Sequence, residues 1–147
     1  MSFAQPSLKG RALRLLSGRE YSRAELERKL ESFETEPGAL ARVLDELQVK
    51  GFISEQRVIE SVLHRRADRL GTTRIKQELL GKGLDSEAVA QALVGLQANE
   101  RERALEVWRK KFGEPPADAQ AAARQMRFLA ARGFGADAIR RVVKVPA

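Results

Sequence analysis

The sequence predicts an all-α chain of three tandem three-helix repeat units forming an elongated, curved array. Three observations carry this reading: a helical period in the apolar residues along nearly the whole length, an internal repeat, and a recurring basic–glycine–apolar triplet. No stretch alternates apolar and polar side chains as a half-buried strand would. The predicted units span residues 8–53, 54–98 and 99–145.

Leu8, Ala12, Leu15 and Leu16 lie on one helical face and predict a first helix. Ser22-Arg23-Ala24-Glu25 is a capping box, in which the Ser22 hydroxyl accepts from the amide three residues on and Glu25 reaches back. It opens a second helix with Leu26, Leu30 and Phe33 on one side, and Leu40, Val43, Leu44 and Leu47 mark a third. A long helix follows from Ser54 to Leu70, broken at Gly71-Thr72-Thr73, with further helices at residues 74–82 and 86–97. Asn99, with Glu102 three residues on, predicts the capped start of a helix whose Leu105, Trp108 and Phe112 face the core. Gly113-Glu114-Pro115-Pro116 ends that helix. Ala122, Met126, Leu129 and Ala130 form the next, and a last helix runs to Lys144.

A shift of 49 superposes Leu26 on Ile75, Leu30 on Leu79, and Leu40, Val43, Leu44 and Leu47 on Val89, Ala92, Leu93 and Leu96. A further shift of 50 places Val89, Ala92 and Leu93 on Ile139, Val142 and Val143, Leu79 on Leu129, and Gly83 on Gly133. Ile75 meets Gln125, the one misfit in the middle helix. Lys50-Gly51-Phe52, Lys82-Gly83-Leu84 and Arg132-Gly133-Phe134 mark helix ends. There glycine takes the left-handed conformation and the apolar residue packs back on the last turn.

Composition limits the chemistry. The chain has 147 residues with 27 Lys+Arg, 20 Asp+Glu, one His and no Cys, for a net charge of +7. Lacking cysteine, it has no disulfide framework, thiol nucleophile or zinc finger. The lone His64 gives neither a multi-histidine metal site nor a general base with partners. Gly81-Lys82-Gly83 lacks the upstream glycine and the Ser/Thr of a phosphate-binding loop. Carboxylates sit among bases, as on a solvated, salt-bridged helix face. The chain is therefore expected to be no enzyme and to need no cofactor. No window reaches the roughly 20 apolar residues of a membrane span, and the start, Met1 to Pro6, lacks the features of a signal peptide. The expectation is a cytoplasmic monomer.

The charge is uneven. Residues 8–53 hold nine basic and eight acidic side chains, whereas residues 99–147 hold eleven and six. Arg65, Arg66 and Arg69, followed by Arg74, Lys76 and Lys82, form one cluster, and Arg109, Lys110 and Lys111 a second. Rows of this kind neutralise phosphates or meet carboxylates. The candidate contact residues are Arg66, Arg69, Arg74, Lys76, Lys82, Arg109, Lys110 and Lys111. The competing reading is direct duplex binding by helix-turn-helix-like units. For it the helix from Glu87 to Leu96 is poorly suited, having no Lys or Arg, while the last helix offers Arg140, Arg141 and Lys144.

Several runs resemble the RecX family of recombination regulators. Ser22 to Leu30 is similar to its second helix. Val43-Leu44-Asp45-Glu46-Leu47 followed by Gly51-Phe52-Ile53-Ser54-Glu55 also fits. So does the central motif of Arg66, Gly71, and Arg74-Ile75-Lys76-Gln77-Glu78-Leu79-Leu80-Gly81-Lys82-Gly83-Leu84, and the closing Phe128 to Phe134. Val58-Ile59 stands where Phe-Ala is usual, and Thr73 where Pro is common. The resemblance implies tandem three-helix units that bind the RecA recombinase or its nucleoprotein filament. It implies restraint of filament growth, ATP hydrolysis, strand exchange and co-protease activity, with at most weak direct DNA binding. A curved row of basic helices suits a filament groove, where it would block the second DNA site or subunit addition.

A compact globule of 147 residues has a radius of gyration of about 15 Å. Small-angle scattering is expected to give a larger value, and a profile matching a compact sphere would remove the elongated array.

Overall fold

The computed structural model describes residues 5–147, so the Met1–Ala4 part of the leader reading lies outside the described residues. The described chain is all-helical: α1 (Leu8–Gly18), α2 (Arg23–Leu30) with a 3-10 turn at Glu31–Phe33, α3 (Ala39–Val49), α4 (Glu55–Arg66), α5 (Thr72–Gly81), α6 (Ser86–Ala98), α7 (Glu100–Lys111), α8 (Ala119–Ala131) and α9 (Ala136–Val142). It resolves into two compact units. The first runs through Ser61 and includes Lys82–Leu84; the second holds Val62–Gly81 and Asp85 onward.

In the first unit α1, α2 and α3 bury Ala12, Leu26, Leu30, Leu40, Leu44 and Leu47 with Tyr21 and Ile53. The Ser22 capping box forms in full, with Glu25 N–H donating to the Ser22 hydroxyl at 3.1 Å. Ser22 in turn donates its hydroxyl proton to the Lys82 carbonyl at 2.5 Å. α1 has a cap of its own, the Ser7 hydroxyl accepting from Gly10 N–H at 3.0 Å. Val58 and Ile59 of α4 are buried, so the departure from Phe-Ala still fills core.

In the second unit α5 and α6 bury Ile75, Leu79, Val89, Leu93 and Leu96. α7, α8 and α9 enclose Ala104, Val107, Ala122, Leu129, Phe134, Ile139 and Val143. The misfit of the repeat is explained here. Gln125 is buried, accepts from the Trp108 indole N–H at 2.8 Å and donates to the Glu114 carbonyl at 3.3 Å. Trp108 thus lies against the core with a polar tip that an aliphatic residue at 125 would leave unpaired.

Three local expectations are corrected. α4 stops at Arg66 rather than Leu70: residues 67–70 turn, and the Ala67 and Leu70 carbonyls accept from Arg103 at 2.9 and 2.7 Å. α5 starts at Thr72, two residues early, because its amide has a partner in Glu100 Oε1 at 2.8 Å. Asn99 does not cap α7 with its side chain, since its Oδ1 accepts from Arg103 Nε at 2.9 Å. The glycines of the three triplets do have positive φ, 83° at Gly51, 73° at Gly83 and 92° at Gly133. Leu84 and Phe134 pack behind theirs, but Phe52 is 47 % exposed and Ile53 takes the buried place.

One close approach governs the second unit. A Cβ on Gly71 would stand 2.2 Å from the Gly133 carbonyl carbon. Gly71 N–H donates to the Arg132 carbonyl at 2.7 Å, and Thr73 N–H to the Gly133 carbonyl at 3.2 Å. Two backbones in contact cannot both move aside cheaply for a methyl group. Gly71→Ala is expected to cost about 3 kcal/mol or more. Gly95 lies inside α6, where a Cβ meets nothing within 4 Å. Gly95→Ala should therefore stabilise by about 0.5–1 kcal/mol. Urea unfolding of both variants checks the opposite signs.

Candidate partner-binding surface

The structure brings together three of the predicted basic residues and adds a fourth. Arg66 ends α4 and its Nε donates to Glu78 Oε1 of α5 at 3.1 Å. Arg69 follows in the turn, donating to the Arg65 carbonyl at 3.2 Å. Arg74, on the first turns of α5, reaches the Ala131 carbonyl at the end of α8 at 2.7 Å. Its aliphatic stem passes over Gly133, where a Cβ would meet Arg74 Cγ at 2.2 Å. Arg132 comes in from the end of α8. These four arginines, with Leu70 and Glu78, line a crevice of about 210 Å³. Four guanidinium groups against one carboxylate give the crevice a cationic lining, the chemistry by which proteins meet phosphates and carboxylates. Arg132 was legible in sequence only as helix-end punctuation, because its place beside Arg74 depends on a contact sixty residues long.

An aromatic ring links this crevice to part of the second cluster. The Arg132 guanidinium lies 4.9 Å from the centre of the Phe128 ring, and the Lys111 ammonium lies 5.4 Å from the same centre. Phe112 meets Phe128 edge-on at 5.4 Å. Cations over a ring face gain from its quadrupole, and the ring holds the flexible cations in place. Arg109 is exposed and paired with Glu106 at 3.1 Å, an i,i+3 contact. Lys110 is exposed. Consecutive residues on a helix point about 100° apart, so Arg109, Lys110 and Lys111 do not share one face.

Two predicted residues lie elsewhere. Lys76 is two positions from Arg74, roughly opposite around α5, and lines a separate crevice of about 370 Å³ with Thr72, Thr73 and Glu100. Lys82 belongs to the first unit, where only 13 % of its side chain is exposed and its ammonium meets Glu25 at 3.1 Å. It works there as a strut. Burial opposes ionisation of Glu25. Hydrogen bonds from the Ser22 amide, Arg19 and Lys82 outweigh that and bring its carboxyl from 4.5 to about 2.

The last helix offers less than its sequence suggests. α9 spans only Ala136–Val142, and Arg140 and Arg141 both lean on Asp137, each at 3.5 Å. Among the described residues no group of three His, Asp or Glu side chains is placed to hold a metal ion, and no helix is long and apolar enough to cross a membrane.

Comparison with known proteins gives a consistent result. Profiles of the first, second and third three-helix domains of RecX match residues 9–47, 54–93 and 99–143. The chain is 54 % identical over 141 residues to the regulatory protein RecX of Leptothrix cholodnii, covering 96 % of this chain and 90 % of that one. It is 49 % identical over 134 residues to the regulatory protein RecX of Herbaspirillum seropedicae, covering 91 % and 87 %. The crystal structure of RecX from Lactobacillus salivarius superposes with a TM-score of 0.77 at 20 % identity, over 92 % of this chain and 91 % of that one.

The Glu25 cluster makes stability depend on acid. A carboxyl near 2 when folded and 4.5 when unfolded contributes fully above the unfolded value and is lost as pH falls through the folded one. Stability should therefore decline between pH 4.5 and about 2. Glu25→Gln should be less stable at neutral pH and should flatten that decline. Glu46, held at about 2 by hydrogen bonds from Lys50 and Lys9, keeps its own share. Urea titrations across a pH series give the measurement.

Proposed function

The chain belongs to the RecX family, and from that premise we propose that it binds the RecA recombinase on its DNA filament. Through that contact it restrains filament growth, ATP hydrolysis, strand exchange and co-protease activity. The carrying observation is the arginine crevice of the second unit, extended through Phe128 to Lys111. A nucleoprotein filament offers what such a crevice takes: phosphates along the DNA and carboxylates on the protein. Arg69 and Arg132 supply the contact, Lys111 extends it, and Arg66 and Arg74 hold the crevice walls through Glu78 and the Ala131 carbonyl. Lys76, Arg109 and Lys110 are exposed on other faces and play a secondary part. On this proposal the working repeats are residues 8–53, 54–98 and 99–145.

The test is charge reversal of Arg69 and Arg132 together, neither of which bridges to an acidic side chain among the described residues. The folded double variant is expected to lose about tenfold or more in inhibition of filament ATP hydrolysis and to fail in pull-down with RecA on single-stranded DNA. Lys76→Glu should change inhibition by less than about threefold. Full inhibition by the double variant would reject the crevice. Steep, salt-sensitive and sequence-dependent binding to duplex DNA alone would favour a DNA-binding module instead.

A further inference from the structure

The first unit carries a groove that shares no residue with the arginine crevice. It measures about 610 Å³ and is lined by Leu15, Leu30 and Phe33 together with Arg11, Arg14 and Lys29, and no carboxylate of the described residues lines it. Arg11, Arg14 and Leu15 come from α1, Lys29 and Leu30 from the end of α2, and Phe33 from the 3-10 turn. Phe33 is 45 % exposed, leaving a large aromatic side chain partly open to solvent at this groove.

The cations of this groove differ from the others of the unit. Lys9 and Lys50 meet Glu46, Arg19 meets Glu25, Arg23 meets Asp45 and Arg57 meets Glu20. Arg14 and Lys29 are exposed and have no ion pair among the described residues. Cations elsewhere in the unit are held by carboxylates, whereas Arg14 and Lys29 stand beside an apolar floor. The complementary ligand has carboxylates for the rim and an apolar group for the floor.

We propose that this groove binds an acidic peptide segment of a partner protein, anchored by apolar side chains against Leu15, Leu30 and Phe33. A helix laid in a groove supplies both features from one face. A nucleic-acid strand fits less well. The Arg11 guanidinium already lies 3.8 Å over the Phe33 ring, and the remaining floor is aliphatic, so a base finds no free stacking platform.

The experiment titrates the isotope-labelled full chain, followed by nuclear magnetic resonance, with a synthetic peptide in which a Leu–Phe pair at helical spacing is flanked by Asp and Glu. The same peptide with Asn and Gln replacing the acids, and an oligothymidylate, are titrated in parallel. Expected are amide shifts confined to residues 10–15 and 29–33 with the acidic peptide. Affinity should fall about tenfold for the amide-substituted peptide and for Arg14→Glu combined with Lys29→Glu. That double variant breaks no ion pair among the described residues, and circular dichroism checks its helicity. The proposal is overturned if the acidic peptide does not bind, if it binds the double variant equally well, or if the oligothymidylate produces the stronger shifts at these residues.

Discussion

In the second unit the join of α5 to the end of α8 depends on a contact between two glycines. Gly71 and Gly133 bring the start of α5 and the end of α8 so close that backbone touches backbone, and two amide hydrogen bonds are made across the join. Such contact leaves helix ends with orphan carbonyls, which water would otherwise satisfy. One side chain meets that demand. Arg103 donates to the Ala67, Leu70 and Leu96 carbonyls, to the Thr72 hydroxyl and to Asn99 Oδ1. Burial pulls its pKa down while Glu100 opposes the change, so the guanidinium remains a cation among the negative ends of helix dipoles. A lysine there has a single nitrogen and cannot span five acceptors.

The proposed contact surface inherits this constraint. Arg74 can cross Gly133 to reach the Ala131 carbonyl only because Gly133 has no side chain. The same join places Arg132 next to Arg74 and, through Phe128, next to Lys111. The basic surface is therefore a product of long-range backbone packing rather than of any single helix. Removing the glycine contact would disperse these cations without altering one of them. Loss of function by a substitution at Gly71 or Gly133 thus has a physical account that needs no contact with a partner.

Local features were the legible ones. The capping box at Ser22, the apolar stripes, the positive-φ glycines and the repeat all arise from interactions within a few residues, and the helices stand where these signals put them, within two to four residues. What the sequence hid was decided by which polar groups become partners. Asn99 reads as a cap until Arg103 claims its oxygen, and Gln125 reads as a break in the repeat until Trp108 supplies its partner. Lys82 reads as an exposed cation until Glu25, fifty-seven positions earlier, encloses it. In each case a polar side chain was read alone when a second polar group, from four to fifty-seven positions away, had already become its partner.

Net charge misleads for the same reason. Residues 8–53 are almost balanced, with nine basic and eight acidic side chains, which suggests a neutral face. Yet the acids are spent on particular cations, with Glu25 serving both Arg19 and Lys82 and Glu46 serving both Lys9 and Lys50. Arg14 and Lys29 are left beside an apolar groove. The excess beyond residue 98 is likewise thinned, since Arg140 and Arg141 share Asp137 and the half-buried Arg103 is spent on backbone carbonyls. Potential at a surface follows the unpaired charges, not the sum of all charges. On that measure the groove of the first unit is a positive place although it lies in the segment whose charges nearly cancel, and the arginine crevice of the second draws only Arg132 from the segment where the sequence is most basic.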